Sequence, residues 1–345
     1  MLQQREIARR AGVAQSTVSM ALRNHPALSA ATRERIHRIA EEMRYRPNAV
    51  VSSLMAHIRS GWPIRDQGCL AIVVAKKSMQ EWLEWETYRS FYEGIQRRAE
   101  RWGYQTECFF MENGLSEEQL DRILYSRGLA GVLLAPPQNR KIPPLMLRWE
   151  RYACATISYT YRGPDMHRVA SHYLHNVELA LRHLIDRGYR RPGLCVPEEV
   201  LRNFDSGWVS GFVHSQWKHF TQRPIPLFIE VPGQLTHLKR FEAWRSAFRP
   251  DVIVCLTGEE KGWLDTIGIR VPDDMGMVCL NRPPGSPFSG VEENHAMIGE
   301  GAIDLLVAQI QANERGVPTH PKHLLYDGLW VDGETLRKPN SVIPV

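Results

Sequence analysis

The chain has 345 residues, of which 43% are hydrophobic and 23% are charged, and its formal net charge is +5. This composition is ordinary for a soluble globular protein, and the length leaves room for a small domain beside a large core. The sequence has no apolar run of the ~20 residues that span a bilayer and no apolar signal segment at its start, so we expect a cytoplasmic protein. Its six cysteines are scattered without a C-x-x-C pair, which predicts reduced core thiols and neither a disulfide framework nor a zinc site.

The first sixty residues predict three short helices with a tight turn between the first two. Apolar positions recur there near a period of 3.6 residues. They are Ile7, Ala8 and Ala11, then Val18, Ala21 and Leu22, then Ile36, Ile39, Ala40 and Met43. Gly12 suits the turn because it lacks a Cβ, and Ser29 is placed to cap the third helix. The pattern fits a helix-turn-helix, although a generic three-helix bundle has the same periodicity.

The second predicted helix carries an unusual face opposite its apolar side. That face holds Ser16, Ser19, Met20 and Arg23, and short polar side chains suit a helix that is pressed against the edges of base pairs. Residues 1–60 contain ten Arg and four Glu, a net charge of +6 against +5 for the whole chain, so the other 285 residues net −1. The positive charge is thus concentrated where contacts to DNA phosphates require it, which favours DNA binding over a plain bundle.

The motifs AGV, TVS, AL-x-N, S-x-x-TR-x-RI and YRPN follow one another without a gap between residues 5 and 54. This block resembles the DNA-binding head of the lactose-repressor (LacI/GalR) family of bacterial regulators. The resemblance implies that Gln15 and Ser16 read bases at the start of the recognition helix. It implies phosphate contacts for Thr17, Ser19, Ser29, Thr32, Tyr45 and Asn48. Met20 stands where many members have Arg or His, and it cannot make the bidentate contact of Arg to guanine but can meet a thymine methyl.

Residues 47–65 are interpreted as a connector between the head, residues 1–46, and the core. Pro47 ends the third helix, and Asn48 can cap a two-turn helix that is too short to be stable alone. A plain linker is one interpretation. The family resemblance implies a hinge helix that folds on the operator and wedges Leu54 into the minor groove. Val51 and Ser52 stand where the family usually has Ala and Arg.

Short apolar runs alternate with helical patterns over residues 66–340, which predicts an α/β core with parallel sheets. We expect strands at 70–74, 106–110, 131–134, 155–158, 193–196, 227–231, 252–256 and 277–280. We expect helices at 88–102, 117–126, 145–151, 176–187, 205–220, 238–248, 259–267 and 298–313. The fold class is therefore an α-helical helix-turn-helix head plus an α/β core of two doubly wound lobes.

The core also carries pieces of the family pattern, including GI-x-RRAERWGY, LRHLIDRGYRRPGL, PDVIVCL and GIRVPDDMGMV. They resemble the family's effector core, a two-lobe fold shared with periplasmic sugar-binding proteins. The resemblance implies a first lobe at 66–160 and 288–322 and a second lobe at 161–287 and 323–340. The chain would cross between lobes near 159–166, 281–288 and 322. Ligands of this fold bind between the lobes, at the carboxyl ends of strands.

At the matching cleft positions the chain departs from the family. Trp208 replaces the Arg of R-x-x-G-F, and Asn281 replaces a usual Asp. Thr257 with Gly258 replaces an Asn-Asp pair, and His172 with Tyr173 replaces an Asp-Asn pair. Residues 76–88 are instead aromatic and acidic, and their Trp82, Trp85 and Tyr88 either stack on a ligand or belong to a helix packed on the core. The candidate effector contacts are Trp85, Thr87, Tyr88, Trp208, Thr257 and Asn281. The cleft then binds an unusual carbohydrate, a non-sugar, or nothing.

These observations predict a sequence-specific transcriptional regulator, most often a repressor in the family. We expect a homodimer on pseudo-palindromic double-stranded operator DNA, acting in the cytoplasm at the nucleoid and modulated by a small molecule, possibly a sugar or a derivative. The sequence leaves open whether dimers pair into tetramers. Two alternatives remain: a regulator without an effector, and a sugar-binding protein or enzyme with an incidental basic head.

Catalysis, a cofactor and a metal are not predicted. The sequence has no G-x-x-x-x-G-K-S/T loop, no G-x-S-x-G elbow and no G-x-G-x-x-G after a predicted strand, so we expect no enzyme. His167, His172 and His175 include an H-x-x-H pair, but no carboxylate or cysteine lies nearby in sequence at ligand spacing. We therefore expect no metal site there.

Overall fold

The computed structural model describes residues 2–22, 28–43, 68–137, 144–203, 207–220, 224–231 and 237–338. The chain divides into two compact units, one with the N-terminal helices and residues 307–315, the other with residues 68–306 and 316–345. None of the helices in these ranges is both long enough and apolar enough to cross a membrane.

The N-terminal helices are α1 (Leu2–Ala11), α2 (Gln15–Ala21) and α3 (Ala30–Glu42). Their apolar faces meet in one small core, and the side chains that it buries are Ile7, Ala8, Ala11, Val18, Ala21, Ile36 and Ala40. Around them pack the partly buried Val13, Leu22, Leu28, Ile39 and Met43. The inward positions predicted from the 3.6-residue period are confirmed.

The turn and the cap expected in the head are both present. Gly12 has φ +63, a left-handed conformation that is cheap only without a Cβ. The Val13 backbone N–H donates to the Ala8 carbonyl at 3.0 Å and closes the turn. Ser29 is the N-cap of α3, and its hydroxyl accepts from the Thr32 N–H at 3.3 Å.

The strands of the core form two six-stranded sheets. They are β1 (Cys69–Val74), β2 (Gln105–Phe110), β3 (Gly131–Leu134), β4 (Ala153–Ile157), β5 (His167–Ser171), β6 (Pro192–Pro197), β7 (Phe228–Glu230), β8 (Val252–Cys255), β9 (Gly276–Cys279), β10 (Ser289–Glu292), β11 (His323–Tyr326) and β12 (Leu329–Val331). The first sheet has the order β11-β5-β4-β3-β1-β2 and is parallel throughout. The second has the order β12-β10-β9-β8-β6-β7, with only β12 antiparallel.

The helices of the core follow the predicted alternation closely. They are α4 (Met79–Trp82), α5 (Glu86–Arg101), α6 (Glu117–Ser126), α7 (Tyr173–Asp186), α8 (Glu198–Asn203), α9 (Gly207–His219), α10 (His237–Phe248), α11 (Glu260–Thr266) and α12 (His295–Ala312). The helix predicted over residues 145–151 is wrong. There Leu145, Leu147 and Trp149 are buried while Met146 and Arg148 are exposed, an alternation typical of extended backbone, and only a single 3-10 turn forms at Trp149–Arg151.

The chain crosses between the two sheets later than expected. β5 belongs to the first sheet, so the first crossing follows Ser171 and does not lie at 159–166. β10 belongs to the second sheet, so the return follows Glu292 and not 281–288. The third crossing, expected near 322, lies between β11 and β12 at Asp327 and Gly328. β5 and β10 are short and partly polar, so the hydrophobic pattern does not identify them as strands.

Helices α5 and α12 pack backbone against backbone. A Cβ on Gly94 would overlap the carbonyl oxygen of Ala296, and a Cβ on Gly299 would overlap that of Phe91. Beside this contact the Arg98 guanidinium pairs with Asp304 at 2.7 Å. Glycine at both positions therefore permits the close crossing, and the ion pair flanks it.

Candidate functional site

One face of α2 is partly exposed while the other is buried. Val18 and Ala21 are completely buried, and Ser16, on another side, is exposed. The remaining predicted DNA contacts on this helix are half-buried: Gln15, Thr17, Ser19 and Met20. The structure thus places all five predicted α2 residues on one short helix anchored through its apolar face.

A histidine from α3 fixes the end of α2. His37 Nε2 lies 3.0 Å from the carbonyl oxygen of Ala21, the last residue of α2. Since that carbonyl has no partner within its own helix, the bond ties α2 to α3 at a defined position. The orientation of α2 therefore depends on α3 as well as on the turn after α1.

The start of α3 brings together two residues predicted to contact phosphate. The Ser29 and Thr32 hydroxyl oxygens lie 2.8 Å apart, and both residues belong to the N-cap arrangement. The first turn of a helix presents unpaired N–H groups and a partial positive charge, which favour an anion. Four other predicted contacts lie outside the described residues: Arg23, Tyr45, Asn48 and Leu54.

The exposed surface of α1 keeps a positive balance. Glu6 accepts hydrogen bonds from Arg9 at 2.6 Å and Arg10 at 3.2 Å. These bonds, that of Arg9 foremost, lower the pKa of Glu6 to about 2. At neutral pH one carboxylate therefore faces two guanidinium groups, a net charge of the sign that DNA attracts.

In the core, a chain of contacts starts from Trp208, at the start of α9. Its side chain is 4% exposed, and its ring centroid lies 4.2 Å from that of Tyr173, at the start of α7. Its indole N–H donates to Glu293 Oε1 at 3.3 Å, and Glu293 Oε2 lies 3.4 Å from His295 Nε2. Glu293 and His295 flank the second crossing, so the cluster joins the second-sheet helices to a segment that connects the sheets.

The same chain of contacts continues to the first lobe. The His295 ring meets Phe91 of α5 edge-on at 5.0 Å, and the Phe91 ring lies 6.4 Å from that of Tyr88. Burial raises the pKa of Tyr88 to about 12, and burial followed by the nearby Glu293 raises the pKa of Tyr173. Both phenols are therefore neutral at physiological pH and can donate or accept hydrogen bonds.

The other predicted effector residues differ in their exposure. Trp85 is 56% exposed and is the N-cap residue of α5, with Thr87 half-buried beside it. Thr257 is exposed, and Asn281 is half-buried after β9. Trp82 is buried and meets Tyr92 edge-on at 5.4 Å, so the packing interpretation is confirmed for Trp82.

The structure adds two residues, Glu293 and His295, that sequence reasoning missed. They lie in the polar run EENH, which begins at Glu292, the last residue of β10. A polar run after a strand is the signal that could have found them, since strand ends carry the ligands in this kind of fold. The predicted crossing at 281–288 ends before this polar run, so Glu293 and His295 were not among the predicted site residues.

The head decides the family. Residues 4–48 match the family model described as "Bacterial regulatory proteins, lacI family". The head belongs to the LacI family. Its three helices are thus a helix-turn-helix DNA-binding head, and the generic three-helix bundle is set aside.

Curated proteins match this chain over nearly their full length. The HTH-type transcriptional repressor PurR of Escherichia coli O139:H28 (strain E24377A / ETEC) is 23% identical, over 92% of this chain and 94% of its own. PurR of Klebsiella pneumoniae (strain 342) is 22% identical, over 95% and 98%.

Solved structures show the same fold. A transcriptional regulator CelR–cellobiose complex superposes with a TM-score of 0.61 at 18% identity, covering 95% of this chain and 98% of that one. A lac repressor dimer bound to operator and the anti-inducer ONPF gives 0.55 at 17%, covering 96% and 98%. The two-lobe core expected from the sequence is thereby confirmed.

Proposed function

We propose that this chain is a repressor that binds a pseudo-palindromic operator as a homodimer, with α2 in the major groove of each half-site. The observation that carries this proposal is the partly exposed face of α2 with Gln15 and Ser16 at its start, on a head that holds the positive charge of the chain. The relatives named above are repressors, and one related structure is a dimer on its operator. Two-fold symmetry of the protein implies two-fold symmetry of its DNA site.

Base reading and phosphate contact are separable by mutation. We assign base reading to Gln15, Ser16 and Met20, and phosphate contact to the hydroxyls of Thr17, Ser19, Ser29 and Thr32 together with Arg23, Tyr45 and Asn48. Loss of a base contact relaxes preference at one position of the site, whereas loss of a phosphate contact weakens all sequences alike.

The experiment is a selection of bound duplexes from a random double-stranded pool, followed by fluorescence anisotropy on the selected sequence and on single-base variants. Gln15→Ala should flatten the preference at one symmetric pair of positions. Thr17→Ala is the matched control and should leave the preference unchanged while weakening every duplex. A uniform loss of affinity from Gln15→Ala would sink the base-reading role, and a selected site without two-fold symmetry would contradict the dimer.

The connector is assigned a part in the same complex. We propose that residues 49–56 fold into a hinge helix on the operator and that Leu54 wedges into the minor groove. Leu54→Ala should then weaken operator binding without changing the melting of the core. Unchanged operator affinity would remove the hinge from the proposal.

We further propose that a small molecule, a sugar or a sugar derivative, binds between the lobes and shifts operator affinity. Tyr88, Trp208 and Glu293 supply aromatic faces and a carboxylate in the region where the lobes connect, the groups that bind sugar rings and hydroxyls. A related regulator was solved with cellobiose. A thermal-shift screen of the full chain against sugars, sugar acids and sugar phosphates tests this, because a ligand of the folded state raises the melting midpoint.

A second candidate is a regulator without an effector. Trp208 is buried where the family carries an Arg, and its indole N–H already donates to Glu293. This hydrogen bond therefore forms without a ligand. In that case the screen stays silent and operator affinity does not respond to any member of the panel. Neither candidate assigns a catalytic activity to the core.

A further inference from the structure

Three metal-ligating side chains converge where the first and third crossings meet. His172 lies between β5 and α7, His175 lies in the first turn of α7, and Asp327 lies between β11 and β12. One ligand atom from each lies within 4.8 Å of the others. His172 Nδ1 is 2.7 Å from Asp327 Oδ1, and His175 Nε2 is 3.9 Å from Asp327 Oδ2.

The backbone beneath these side chains is held by other groups. The His172 N–H donates to the Tyr326 carbonyl at 2.9 Å. The completely buried Asn176 donates to the Ser171 hydroxyl at 2.9 Å and accepts from the Gly328 N–H at 2.7 Å. Both segments are therefore fixed to each other without help from the three ligand side chains, as a preorganised site requires.

Glycine at position 328 allows this approach. A Cβ there would collide with Val291 and would lie 3.0 Å from the Asn176 amide. The close passage of the two segments thus depends on a residue with no side chain, and it brings Asp327 beside the two histidines.

Two imidazoles and one carboxylate form a donor set that suits first-row transition metals such as Zn²⁺ and does not suit Mg²⁺ or Ca²⁺, which prefer all-oxygen ligands. Tetrahedral bonds of ~2.1 Å put neighbouring ligand atoms about 3.4 Å apart. One ligand atom from each of the three residues lies within 4.8 Å of the other two, so side-chain rotations bring the ligands into place. All three side chains are more than a third exposed, so an ion can enter and water can fill the fourth position.

A simple ion pair accounts for less of this arrangement. A contact between His172 and Asp327 alone explains the 2.7 Å distance but not the approach of His175 to the second oxygen of the same carboxylate. The two imidazole rings are stacked with centroids 5.5 Å apart, so the rings lie next to each other and a single ion could contact both.

We propose that His172, His175 and Asp327 bind one divalent transition-metal ion of the Zn²⁺ class. The ion would join two of the three segments that connect the lobes, and would thereby stabilise the folded core. The expectation from sequence of no metal here rested on the lack of a nearby carboxylate. Asp327, 155 residues from His172, supplies one.

Cobalt titration of the full chain, purified without a histidine tag and freed of metal by a chelator, tests the proposal. Co²⁺ should bind one per chain with the visible absorption of a low-coordinate site, Zn²⁺ should displace it, and Mg²⁺ should not. His175→Gln and Asp327→Asn should each weaken Co²⁺ binding at least about tenfold. His214→Gln, which changes an exposed histidine of α9, is the matched control and should bind as the unaltered chain does.

Melting curves separate ligand loss from misfolding. In chelator, both site variants should melt where the unaltered chain does, since the three side chains are partly exposed. Zn²⁺ should raise the midpoint of the unaltered chain and of His214→Gln but not of Asp327→Asn. Absence of stoichiometric Co²⁺ binding, or equal affinity in the unaltered chain and both site variants, would overturn the proposal and leave only an ion pair. Neither result depends on operator binding.

Discussion

Replacing Asn176 by alanine removes the side chain that joins the first and third crossings. Its amide is completely buried and makes two short hydrogen bonds, to Ser171 at 2.9 Å and from Gly328 at 2.7 Å. Alanine leaves the Gly328 N–H and the Ser171 hydroxyl buried without these partners. An orphaned buried polar group costs about 1–3 kcal/mol, so with two such groups the free energy of unfolding should fall by roughly 2–6 kcal/mol.

The assay is urea unfolding of the full chain, followed by tryptophan fluorescence. With a slope of about 3 kcal/mol per molar urea for a core of this size, the midpoint should move down by roughly 1 M. Asn113→Ala, at an exposed asparagine, is the matched control and should stay within about 0.5 kcal/mol.

A double-mutant cycle tests whether the loss of stability comes from the hydrogen bonds of Asn176. In a Ser171→Ala background one of the two bonds is already gone, so Asn176→Ala should cost less than it does alone. A loss below about 1 kcal/mol, or strict additivity of the two substitutions, would refute the bridging role of Asn176.

Three further predictions concern the head, a buried carboxyl group and the helix crossing. Ile36→Ala, at a completely buried position of the head, should lower the free energy of unfolding of the head by about 2–5 kcal/mol. DNA binding should be abolished while calorimetry still shows the unfolding transition of the core. Retained operator affinity would contradict this. Burial, and then the charge of Glu260, raises the pKa of Glu230 to about 8 from an ordinary 4.5, so the folded state keeps a proton that the unfolded chain has lost. The free energy of unfolding should therefore fall as pH rises between those two values, and Glu230→Gln should flatten that slope in urea titrations; an unchanged slope would rule Glu230 out as its source. Gly299→Ala places a Cβ against backbone and should lower the free energy of unfolding of the core by about 1–3 kcal/mol. Gly262→Ala, at a helical glycine with open space around it, should raise it by about 0.4–1 kcal/mol. Equal effects of the two substitutions would mean that the close helix crossing does not contribute to stability.

The head was predictable because its signals are local. The buried positions Ile7, Val18 and Ile36 repeat at the helical period, and the Ser29 cap lies three residues from its partner. Such short-range rules need no knowledge of the rest of the fold, and they located the elements of the head that the structure describes.

The errors in the core arise where a strand is defined by its neighbours. β5 carries His167, Arg168 and Ser171, yet it is buried throughout because β4 and β11 flank it. Burial of polar residues by pairing across the sheet leaves no hydrophobic signal in the strand itself. At 145–151, conversely, a period of two was interpreted as a helix.

Only part of the candidate site was predictable, because several of its contacts join residues far apart in the sequence. The sequence identifies Trp208 at a family position and Tyr88 within an aromatic and acidic segment. Glu293 contacts Trp208 across 85 residues and Asp327 contacts His172 across 155. No periodic pattern in a single sequence reports contacts at such separations, so these partners appear only in three dimensions.

The backbone contact between α5 and α12 allows lobe movement to be measured with labels on either helix. Gly94 and Gly299 leave no gap through which one helix can slide past the other, so the pair should move as one body. A distance measured by paired labels from the exposed Trp217 of α9 to Glu100 of α5, and a second from Trp217 to Met297 of α12, should then change together when a ligand or an operator is added. One labelled pair would therefore report on lobe closure, and the second would show whether the helix pair had come apart.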